Sequence, residues 1–512
     1  MLKVSLTIPV NCQESIESAI CKKIGAKKIK SYSIVKKSID ARKKDCIKYN
    51  YTVVFEVDNE RKYLRDGITI ADINIRTLED MCIGRSINGK VAVIGTGPAG
   101  LFCALTLAYM GAKPIVFERG ESVENRQKSV NNFFQTLSIN TESNVQFGEG
   151  GAGTFSDGKL NTNLHNEYVG VVLQEFVKHG APEEITYLNK PHIGTDNLVK
   201  VVKNMRNKII ELGGEVRFNE KLTDLILDGN KIKGIVTNLN KYDFDKVYLG
   251  IGHSARDTFE MLYRKGVVMV PKTYSMGVRI EHLRTDINFA QYGKSAPFIK
   301  ETADYKLSCN LGERSLYTFC MCPGGKVINA SSEDGGICVN GMSNYSRMDD
   351  NSNSALLVNV SEKDFGSDHP LSGVEFQRKY ERRAYNISNS FRPIVQLYGD
   401  FCQGKISHNY GKITPSVESG FCYGDINSCL PSSVANTIKL GVKEFGKKLK
   451  GFDDYESVLT GIETRSSSPV RILRDENYNS SIIGLHPIGE GAGYAGGIVS
   501  AAIDGIKSVL LS

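Results

Sequence analysis

Three glycines and one carboxylate between residues 90 and 118 have the spacing of a dinucleotide-binding turn. Gly95, Gly97 and Gly100 follow the apolar run Val91–Ile94, and Glu118 ends a second apolar run 18 residues after Gly100. Small residues at three such positions permit a tight turn, the close approach of a pyrophosphate and the packing of a helix on a strand. A carboxylate about 20 residues further on accepts hydrogen bonds from the adenosine ribose. The spacing therefore predicts a strand–turn–helix–strand unit that binds a dinucleotide.

The helix expected after Gly97 would supply the anion-binding groups of this unit. Its aligned peptide dipoles place about half a positive charge at the N-terminus, where the first N–H groups have no partner within the helix. A pyrophosphate can bind there without a basic side chain. The same stretch, residues 91–112, carries no charge over 22 residues and is long enough to imitate a membrane span. The glycines and Pro98 near one end favour the nucleotide-binding unit, so we expect no membrane contact.

Two further glycine-rich stretches could place backbone against the same ligand. Residues 147–160 contain glycine at 148, 150, 151, 153 and 158, interleaved with Phe147, Phe155 and Leu160. Glycine permits positive φ and close backbone approach, and the apolar residues favour a loop packed on a flat ligand over a flexible linker. Residues 485–505 form a strand-like lead, a glycine turn and a small-residue helix from about Gly496. This pattern predicts a second helix N-terminus directed at a long ligand.

The cysteine pattern indicates reduced thiols and no structural metal. The chain has 12 cysteines, none of them in a CxxC pair and none combined with histidines at a zinc-binding spacing. Cys320 and Cys322, separated by one methionine, could form a redox pair or a metal clip. With only two ligands, the motif is more typical of two buried small residues at a turn.

Positive charge is concentrated at the start of the chain. The net charge is +7, and the first 50 residues hold 12 Lys or Arg against 4 Asp or Glu, which leaves the remainder almost neutral. This excess could form an anion-binding surface, for example for RNA, or it could be a solvated face. The sequence from Met1 to Val4 leads into alternating residues rather than an apolar leader, which predicts a cytoplasmic location.

The succession of elements predicts an α/β fold in four segments. A chain of 512 residues with 41% apolar content can bury the cores of two or three domains. We predict a basic α/β domain at residues 1–88 and a nucleotide-binding domain divided between residues 89–270 and 411–512. A β-rich substrate domain, residues 271–410, is expected as an insertion between these two parts.

Six motifs spread along the chain share one resemblance. They are Gly95–Gly100 with Glu118, Phe147–Leu160, Pro191–Asp196, Gly252–Asp257, Glu463–Arg465 and Gly489–Gly497. Together they resemble the uncharacterised bacterial FAD-dependent dehydrogenases, over nearly the whole chain. The resemblance implies a Rossmann-type, glutathione-reductase-like FAD-binding domain with an extra N-terminal domain.

The resemblance also implies roles for individual residues. In related flavoproteins the acid after the C-terminal glycine contacts the ribityl–pyrophosphate part of FAD, and the next helix directs its N-terminus at the flavin ring; Glu490 and Gly496–Gly497 match these positions. The expected cofactor-binding residues are Gly95, Gly97, Pro98, Ala99, Gly100, Glu118, Arg119, Gly151, Gly489, Glu490, Ala495, Gly496 and Gly497. Asp157, Lys159 and Arg465 are the candidate catalytic residues near the flavin ring, although they could equally form ordinary loop salt bridges.

These expectations favour an FAD-dependent oxidoreductase that exchanges hydride with an unidentified organic substrate. The pattern G-x-G-x-x-G recurs only within the two glycine-rich stretches already described, at residues 148–153 and 491–496. No separate NAD(P)H-binding unit is therefore predicted, and NAD(P)H would act only as a transient donor. Two alternatives remain: an FAD-dependent enzyme that modifies RNA, suggested by the basic N-terminal segment, and a non-catalytic flavin-binding protein. The substrate domain carries no portable motif that identifies the substrate.

Overall fold

The computed structural model describes residues 1–72, 76–164 and 166–512. The strands are β1 (Leu2–Pro9), β2 (Ser31–Asp40), β3 (Lys48–Glu56), β4 (Ile68–Ile70), β5 (Val91–Ile94), β6 (Ile115–Phe117), β7 (Glu215–Arg217), β8 (Leu222–Asp228), β9 (Lys231–Thr237), β10 (Lys241–Asp243), β11 (Lys246–Leu249), β12 (Met269–Pro271), β13 (Tyr274–Leu283), β14 (Ser308–Asn310), β15 (Ser315–Cys322), β16 (Lys326–Asn329), β17 (Val339–Met342), β18 (Asn351–Val360), β19 (Ile394–Leu397), β20 (Cys422–Tyr423), β21 (Val458–Glu463), β22 (Val470–Ile472) and β23 (Leu485–Pro487). The α-helices are α1 (Ile16–Ile24), α2 (Leu78–Cys82), α3 (Pro98–Tyr109), α4 (Val123–Thr136), α5 (Glu167–Lys178), α6 (Thr195–Glu211), α7 (Arg256–Arg264), α8 (Arg284–Tyr292), α9 (Glu362–Phe365), α10 (Ser372–Ser388), α11 (Tyr398–Gln403), α12 (Ser432–Lys448) and α13 (Ile498–Leu510).

A five-stranded parallel sheet, in the order β23-β11-β5-β6-β7, carries the predicted nucleotide-binding unit. Strand β5 is buried along its whole length, as expected for a parallel strand covered on both faces. Helix α3 connects β5 to β6, and α13 packs directly on α3. A side chain at Gly505 of α13 would lie 2.2 Å from the carbonyl oxygen of Ala99 in α3, so glycine is required for this close helix contact.

A seven-stranded sheet, in the order β14-β15-β18-β13-β21-β19-β20, forms the second large unit. Its neighbouring strands are antiparallel except for the parallel pair β19 and β20. Helix α12 packs against it, and Val434, Ile438 and Phe445 of that helix are buried in the shared core. Strand β21 pairs with β13 and β19 inside this sheet, so the sheet continues to Glu463, whereas the predicted β-rich substrate domain ended at residue 410. The fold as a whole is mixed α/β, with parallel and antiparallel sheets.

A four-stranded antiparallel sheet, β2-β3-β1-β4, and helix α1 form the N-terminal unit. Strand β1 alternates buried and exposed residues along its length, which confirms the predicted period-2 pattern. The sheet contacts Glu301, which follows α8 in the chain: this residue accepts a hydrogen bond from Tyr49 at 2.5 Å and pairs with Lys37 at 2.6 Å. The Tyr49 hydroxyl is therefore engaged in a contact within the protein.

Four lysines of the basic N-terminal segment lie together at the end of α1. They are Lys22, Lys23, Lys27 and Lys28, all exposed, and they are called the α1 lysine cluster below. Lys22 and Lys23 occupy the last turn of the helix, where cations interact favourably with its dipole. In the part of the chain that the structure describes, no helix combines the length and the apolar character that a transmembrane segment needs.

Candidate functional site

A cavity of about 730 Å³ lies between the carboxyl ends of the parallel strands and the seven-stranded sheet. The turn after β5 lines one part of it, the start of α13 lines another, and residues 318–321 of β15 and Glu463 of β21 line the opposite wall. Cofactor and substrate sites in proteins commonly enclose about 300 to 1,000 Å³. The cavity therefore has the volume of a site for a large organic ligand.

Each of the three glycines of the first turn is explained by a different structural requirement. Gly95 has φ +92°, and a Cβ there would lie 2.4 Å from the carbonyl oxygen of Gly250. A Cβ at Gly100 would lie 1.9 Å from the carbonyl oxygen of Gly95, so this glycine permits the helix to pack on the turn. Among the described residues, a Cβ at Gly97 would meet only the Cα of Gly151, at 4.0 Å. Gly97 thus leaves open the volume next to the start of α3, as the spacing predicts.

Two helix N-termini open on this cavity. Helix α3 begins at Pro98 after the cap residue Gly97, and no side chain of residues 1–72, 76–164 or 166–512 caps it. Helix α13 begins at Ile498 after the cap residue Gly497, and it too has no side-chain cap from the described part of the chain. A Cβ at Gly496 or Gly497 would meet no atom within 4 Å in the described chain, so both positions face open space. The free N–H groups at the two helix starts are suited to bind negative charge.

Ten of the thirteen expected cofactor-binding residues line the cavity. They are Gly95, Gly97, Pro98, Ala99, Glu118, Arg119, Gly151, Glu490, Gly496 and Gly497. Gly100, Gly489 and Ala495 are outside its lining. A Cβ at Gly489, which has φ +73°, would lie 2.6 Å from the Cβ of Ala99, so this glycine permits packing between two segments.

Glu118 lies at the cavity but is bonded to the protein itself. Its Oε2 accepts hydrogen bonds from the backbone N–H of Thr96 at 2.9 Å and from the Thr96 hydroxyl at 2.6 Å. Its Oε1 accepts from the backbone N–H groups of Gly120 at 3.0 Å and Gly148 at 3.1 Å. A carboxylate offers about four acceptor positions, and here four donors of the chain use them. Glu118 therefore joins three loops, a role that the expected ribose contact did not include.

Arg119 and Gly151 support the same wall. The Arg119 guanidinium donates to both carboxylate oxygens of Asp257, at 2.9 and 3.0 Å, and to Glu142 at 2.9 Å. It also lies 4.0 Å from the centre of the Phe147 ring. Gly151 has φ +61°, and a Cβ there would lie 3.1 Å from the Cα of Gly97. The glycine-rich loop is thus packed against the first turn rather than free as a linker.

Asp157, a candidate catalytic residue, lies away from the cavity lining. Its side chain is 0% exposed, and it accepts hydrogen bonds from Ser343 and from the Nε of Arg347, the latter at 2.9 Å. Although burial favours the neutral acid, the positive charges of Lys159 and Arg347 hold the pKa of Asp157 well below its usual range. Both oxygens are engaged, so Asp157 positions the loop and Lys159 rather than contacting a ligand in the cavity.

Lys159 and Arg465, the other two candidates, do line the cavity. Lys159 Nζ is 3.4 Å from Asp157 Oδ2, and it has no hydrogen-bond acceptor among the residues that the structure describes. Arg465 donates to both oxygens of Glu381, at 3.0 and 2.9 Å, and to Ser332. Arg465 is therefore fixed in a buried ion pair, whereas the ammonium group of Lys159 remains available.

Two carboxyl groups, the buried Glu463 and the half-buried Glu490, add acid–base capacity to the wall. Burial raises the pKa of Glu490 to about 7. Burial likewise raises the pKa of Glu463 to about 7, although Arg279 donates to Glu463 Oε2 at 3.1 Å. Such groups can hold or release a proton near neutral pH. Glu490 was expected at the cofactor, but no role was assigned to Glu463, because its neighbour Arg279 is far away in the sequence.

His253 and Cys320 were also missed as cavity residues. His253 follows β11 at the carboxyl edge of the parallel sheet, and burial together with the charges of Arg465 and Arg256 lowers its pKa to about 3. It is therefore neutral at physiological pH. Its position after a buried strand ending in glycine was a signal that could have identified it, since ligands of open α/β sheets bind at this edge.

Comparison with known proteins places the chain in a family. Residues 273–466 match the family described as FAD-dependent protein, C-terminal domain-like, and residues 1–56 match a domain of unknown function. An uncharacterised protein of Clostridium beijerinckii is 47% identical over 503 residues, covering 96% of this chain and 94% of its own length.

Similar solved structures have low identity. They include a glycine oxidase from Bacillus cereus (12% identity, 83% of this chain and 97% of that chain, TM-score 0.33). A geranylgeranyl bacteriochlorophyll reductase-like protein from Thermoplasma acidophilum has 12% identity, 82% and 77% coverage and a TM-score of 0.35. The halogenase PltM, in complex with FAD, has 9% identity, 83% and 68% coverage and a TM-score of 0.38. The sequence comparison is decisive: this chain belongs to the same family as the clostridial protein, and it contains an FAD-dependent protein C-terminal-like domain.

Proposed function

We propose that this protein is an FAD-dependent oxidoreductase whose cavity binds both the cofactor and an organic substrate. The observation that carries the proposal is the pair of helix N-termini, at Pro98 and Ile498, that open on one glycine-lined cavity of about 730 Å³. A ligand with a pyrophosphate at one position and an electron-rich ring at another would use both. The match to an FAD-dependent domain supports this cofactor.

The residues present fit FAD. The open volume at Gly97 next to uncapped N–H groups is suited to the pyrophosphate, since a side chain would occupy that space. The open positions at Gly496 and Gly497 leave room for a flat ring at the start of α13. FAD, when bound, supplies hydride acceptance and donation.

The chain contributes charge, proton transfer and rigidity around that chemistry. Lys159 provides an ammonium group without a hydrogen-bond acceptor among the described residues, which suits a negatively charged part of a ligand. Glu463 and Glu490, each with its pKa raised to about 7 by burial, can hold a proton or accept one at neutral pH. The ion pair with Glu381 holds the Arg465 guanidinium in one position in the cavity wall during proton and hydride transfer.

The direct test is the cofactor itself. We expect the purified protein to show flavin absorbance and to release FAD, rather than FMN, on acid precipitation, because a two-ended cradle selects a dinucleotide. Replacing Gly97 by valine should abolish retention, since the branched side chain would fill the space beside the helix start.

A matched control is available in Gly170 of α5, an exposed glycine whose Cβ position is likewise open. The change Gly170→Val should leave flavin content unchanged. Colourless protein that cannot be loaded with FAD, or full retention in the Gly97→Val variant, would contradict the proposal.

A further inference from the structure

Cys320 leaves the regular path of its strand and lines the cavity. Strand β15 pairs regularly with β18 as far as Phe319, and the pairing then shifts before it resumes at Cys322. Cys320 has φ +40°, a conformation that non-glycine residues seldom adopt. Irregularities of this kind redirect side chains near functional sites. Among the residues that the structure describes, Cys320 is the only cysteine of the cavity wall.

Cys322 lies immediately behind it and is fully buried. Its Sγ is 3.3 Å from the carbonyl oxygen of Cys320. Arg279, from the neighbouring strand β13, donates to that same carbonyl oxygen at 2.7 Å and lies 3.7 Å from the Cys322 sulfur. The two cysteines therefore share one small environment, with Cys320 in the cavity wall and Cys322 buried next to it. Both are free cysteines.

The charges around the pair favour a thiolate at Cys320. A hydrogen bond from the Cys322 thiol, together with the positive charges of Lys159 and Arg279, outweighs burial and lowers the pKa of Cys320. The same hydrogen bond raises the pKa of Cys322. The negative groups that face this site are Asp157, Glu463 and Glu490; the first is paired with Arg347, and burial favours the neutral acid for the other two.

From this arrangement we propose that Cys320 and Cys322 form a redox-active dithiol that reduces a disulfide admitted to the cavity. The Cys320 thiolate attacks one sulfur of the disulfide, a Cys320–substrate bond forms, and the other sulfur leaves as a thiolate that takes up a proton. Cys322 then loses its proton and attacks Cys320 Sγ, which forms the Cys320–Cys322 disulfide and releases the second thiol. The substrate gains the two electrons that the dithiol loses, so the exchange balances without another reactant.

This exchange uses the same cavity as the proposed function but needs no flavin, so its test is separate. Tryptic cleavage releases residues 315–326 as one peptide that contains both cysteines and no other. The full-length protein is treated with bis(2-hydroxyethyl) disulfide at pH 7, quenched with acid and digested. We expect this peptide to be lighter by two hydrogens and to resist iodoacetamide, whatever the measured FAD content of the sample.

Cys309 provides the matched internal control, since the adjacent tryptic peptide, residues 307–314, contains it as a single cysteine. Burial raises the pKa of Cys309, and its sulfur lies 3.9 Å from the carbonyl oxygen of Gly441. Its peptide should react slowly, and the change Cys309→Ser should leave the oxidation of residues 315–326 unchanged. In the Cys322→Ser variant the reaction should stop at a mixed disulfide on Cys320.

The pH dependence of the rate of iodoacetamide labelling tests directly whether Cys320 is a thiolate. An ordinary thiol becomes about fifty-fold more reactive between pH 6.5 and 8.5 as its thiolate fraction rises, whereas Cys320 should change less than about threefold over this range. Lys159→Gln should make the rise of Cys320 steeper, and Lys159→Arg should restore the flat profile. The proposal is overturned if the peptide remains reduced, if the wild type stops at a stable mixed disulfide, or if Cys320 follows the ordinary profile.

Discussion

Replacing Glu118 by glutamine tests whether this residue mainly organises the cavity or mainly binds a ligand. The carboxylate accepts two hydrogen bonds from Thr96 and one each from Gly120 and Gly148. Glutamine keeps one oxygen, which can serve Gly120 and Gly148, and turns an NH₂ group toward Thr96. The Thr96 hydroxyl can rotate to accept from this group, but the backbone N–H of Thr96 is then left without a partner.

The expected loss of stability follows from these four hydrogen bonds. An unpaired buried donor costs about 1–3 kcal/mol, and the remaining bonds weaken because their acceptor is no longer charged. We therefore expect the free energy of unfolding to fall by roughly 2–4 kcal/mol. Since a typical domain is stable by about 5–15 kcal/mol, the variant should still fold, with the three loops less firmly held.

The assay is urea denaturation of protein from which the flavin has been removed, followed by titration with FAD. Glu142→Gln is the matched control, because Glu142 also pairs with Arg119 but its side chain is 40% exposed; such surface pairs contribute about 0–1 kcal/mol. If Glu118→Gln leaves the flavin-free protein as stable as the wild type and lowers only FAD affinity, the carboxylate serves the ligand and our reasoning is refuted.

Three further predictions concern other parts of the molecule. Burial raises the pKa of Glu463 to about 7, above about 4.3 in the unfolded chain. The folded state therefore binds more protons between these two pKa values, and the free energy of unfolding should fall as pH rises from about 4.5 to 7. Urea denaturation at several pH values should show a flatter pH dependence in Glu463→Gln, and a slope equal to that of the wild type would refute this prediction. Asp157→Asn removes the buried carboxylate that pairs with Arg347 and should cost about 3 kcal/mol, whereas a loss below about 1 kcal/mol in urea denaturation would show that the pair contributes little. Replacing all four lysines of the α1 lysine cluster by glutamine should leave FAD content and melting temperature unchanged, because these side chains are exposed. If the wild type retains RNA at low salt and the variant does not, the RNA-modifying alternative replaces our proposal.

The sequence was informative where the cause of the structure is local. The turn at Gly95–Gly100 needs small residues because of contacts within a few residues and with the next strand, and such spacing can be read directly. The alternation in β1 is local in the same sense. These short-range patterns were sufficient to predict the strand–turn–helix–strand unit and most of the residues that line the cavity near it.

The ion pairs and the extent of the seven-stranded sheet could not be predicted, because they depend on residues far apart in the sequence. Asp157 is neutralised by Arg347, and Arg465 by Glu381, from segments far along the chain. A single sequence contains no signal for such pairings, so both residues looked equally suited to catalysis. Residues 411–512 were expected in the nucleotide-binding domain, but β21 pairs with β13, which lies far earlier in the chain.

The close packing of α13 on α3 has a consequence for the order in which the molecule is made. The second glycine turn, at Gly489, is nearly four hundred residues later in the chain than the first, at Gly95. At a synthesis rate of about 5–20 residues per second, this separation corresponds to roughly 20–80 s. During that time the nascent chain contains the N-terminus of α3 but not that of α13. Ala99 then lacks its contact with Gly505. Under the proposed function, tight FAD binding is therefore a late event in biosynthesis, because it requires both helix starts.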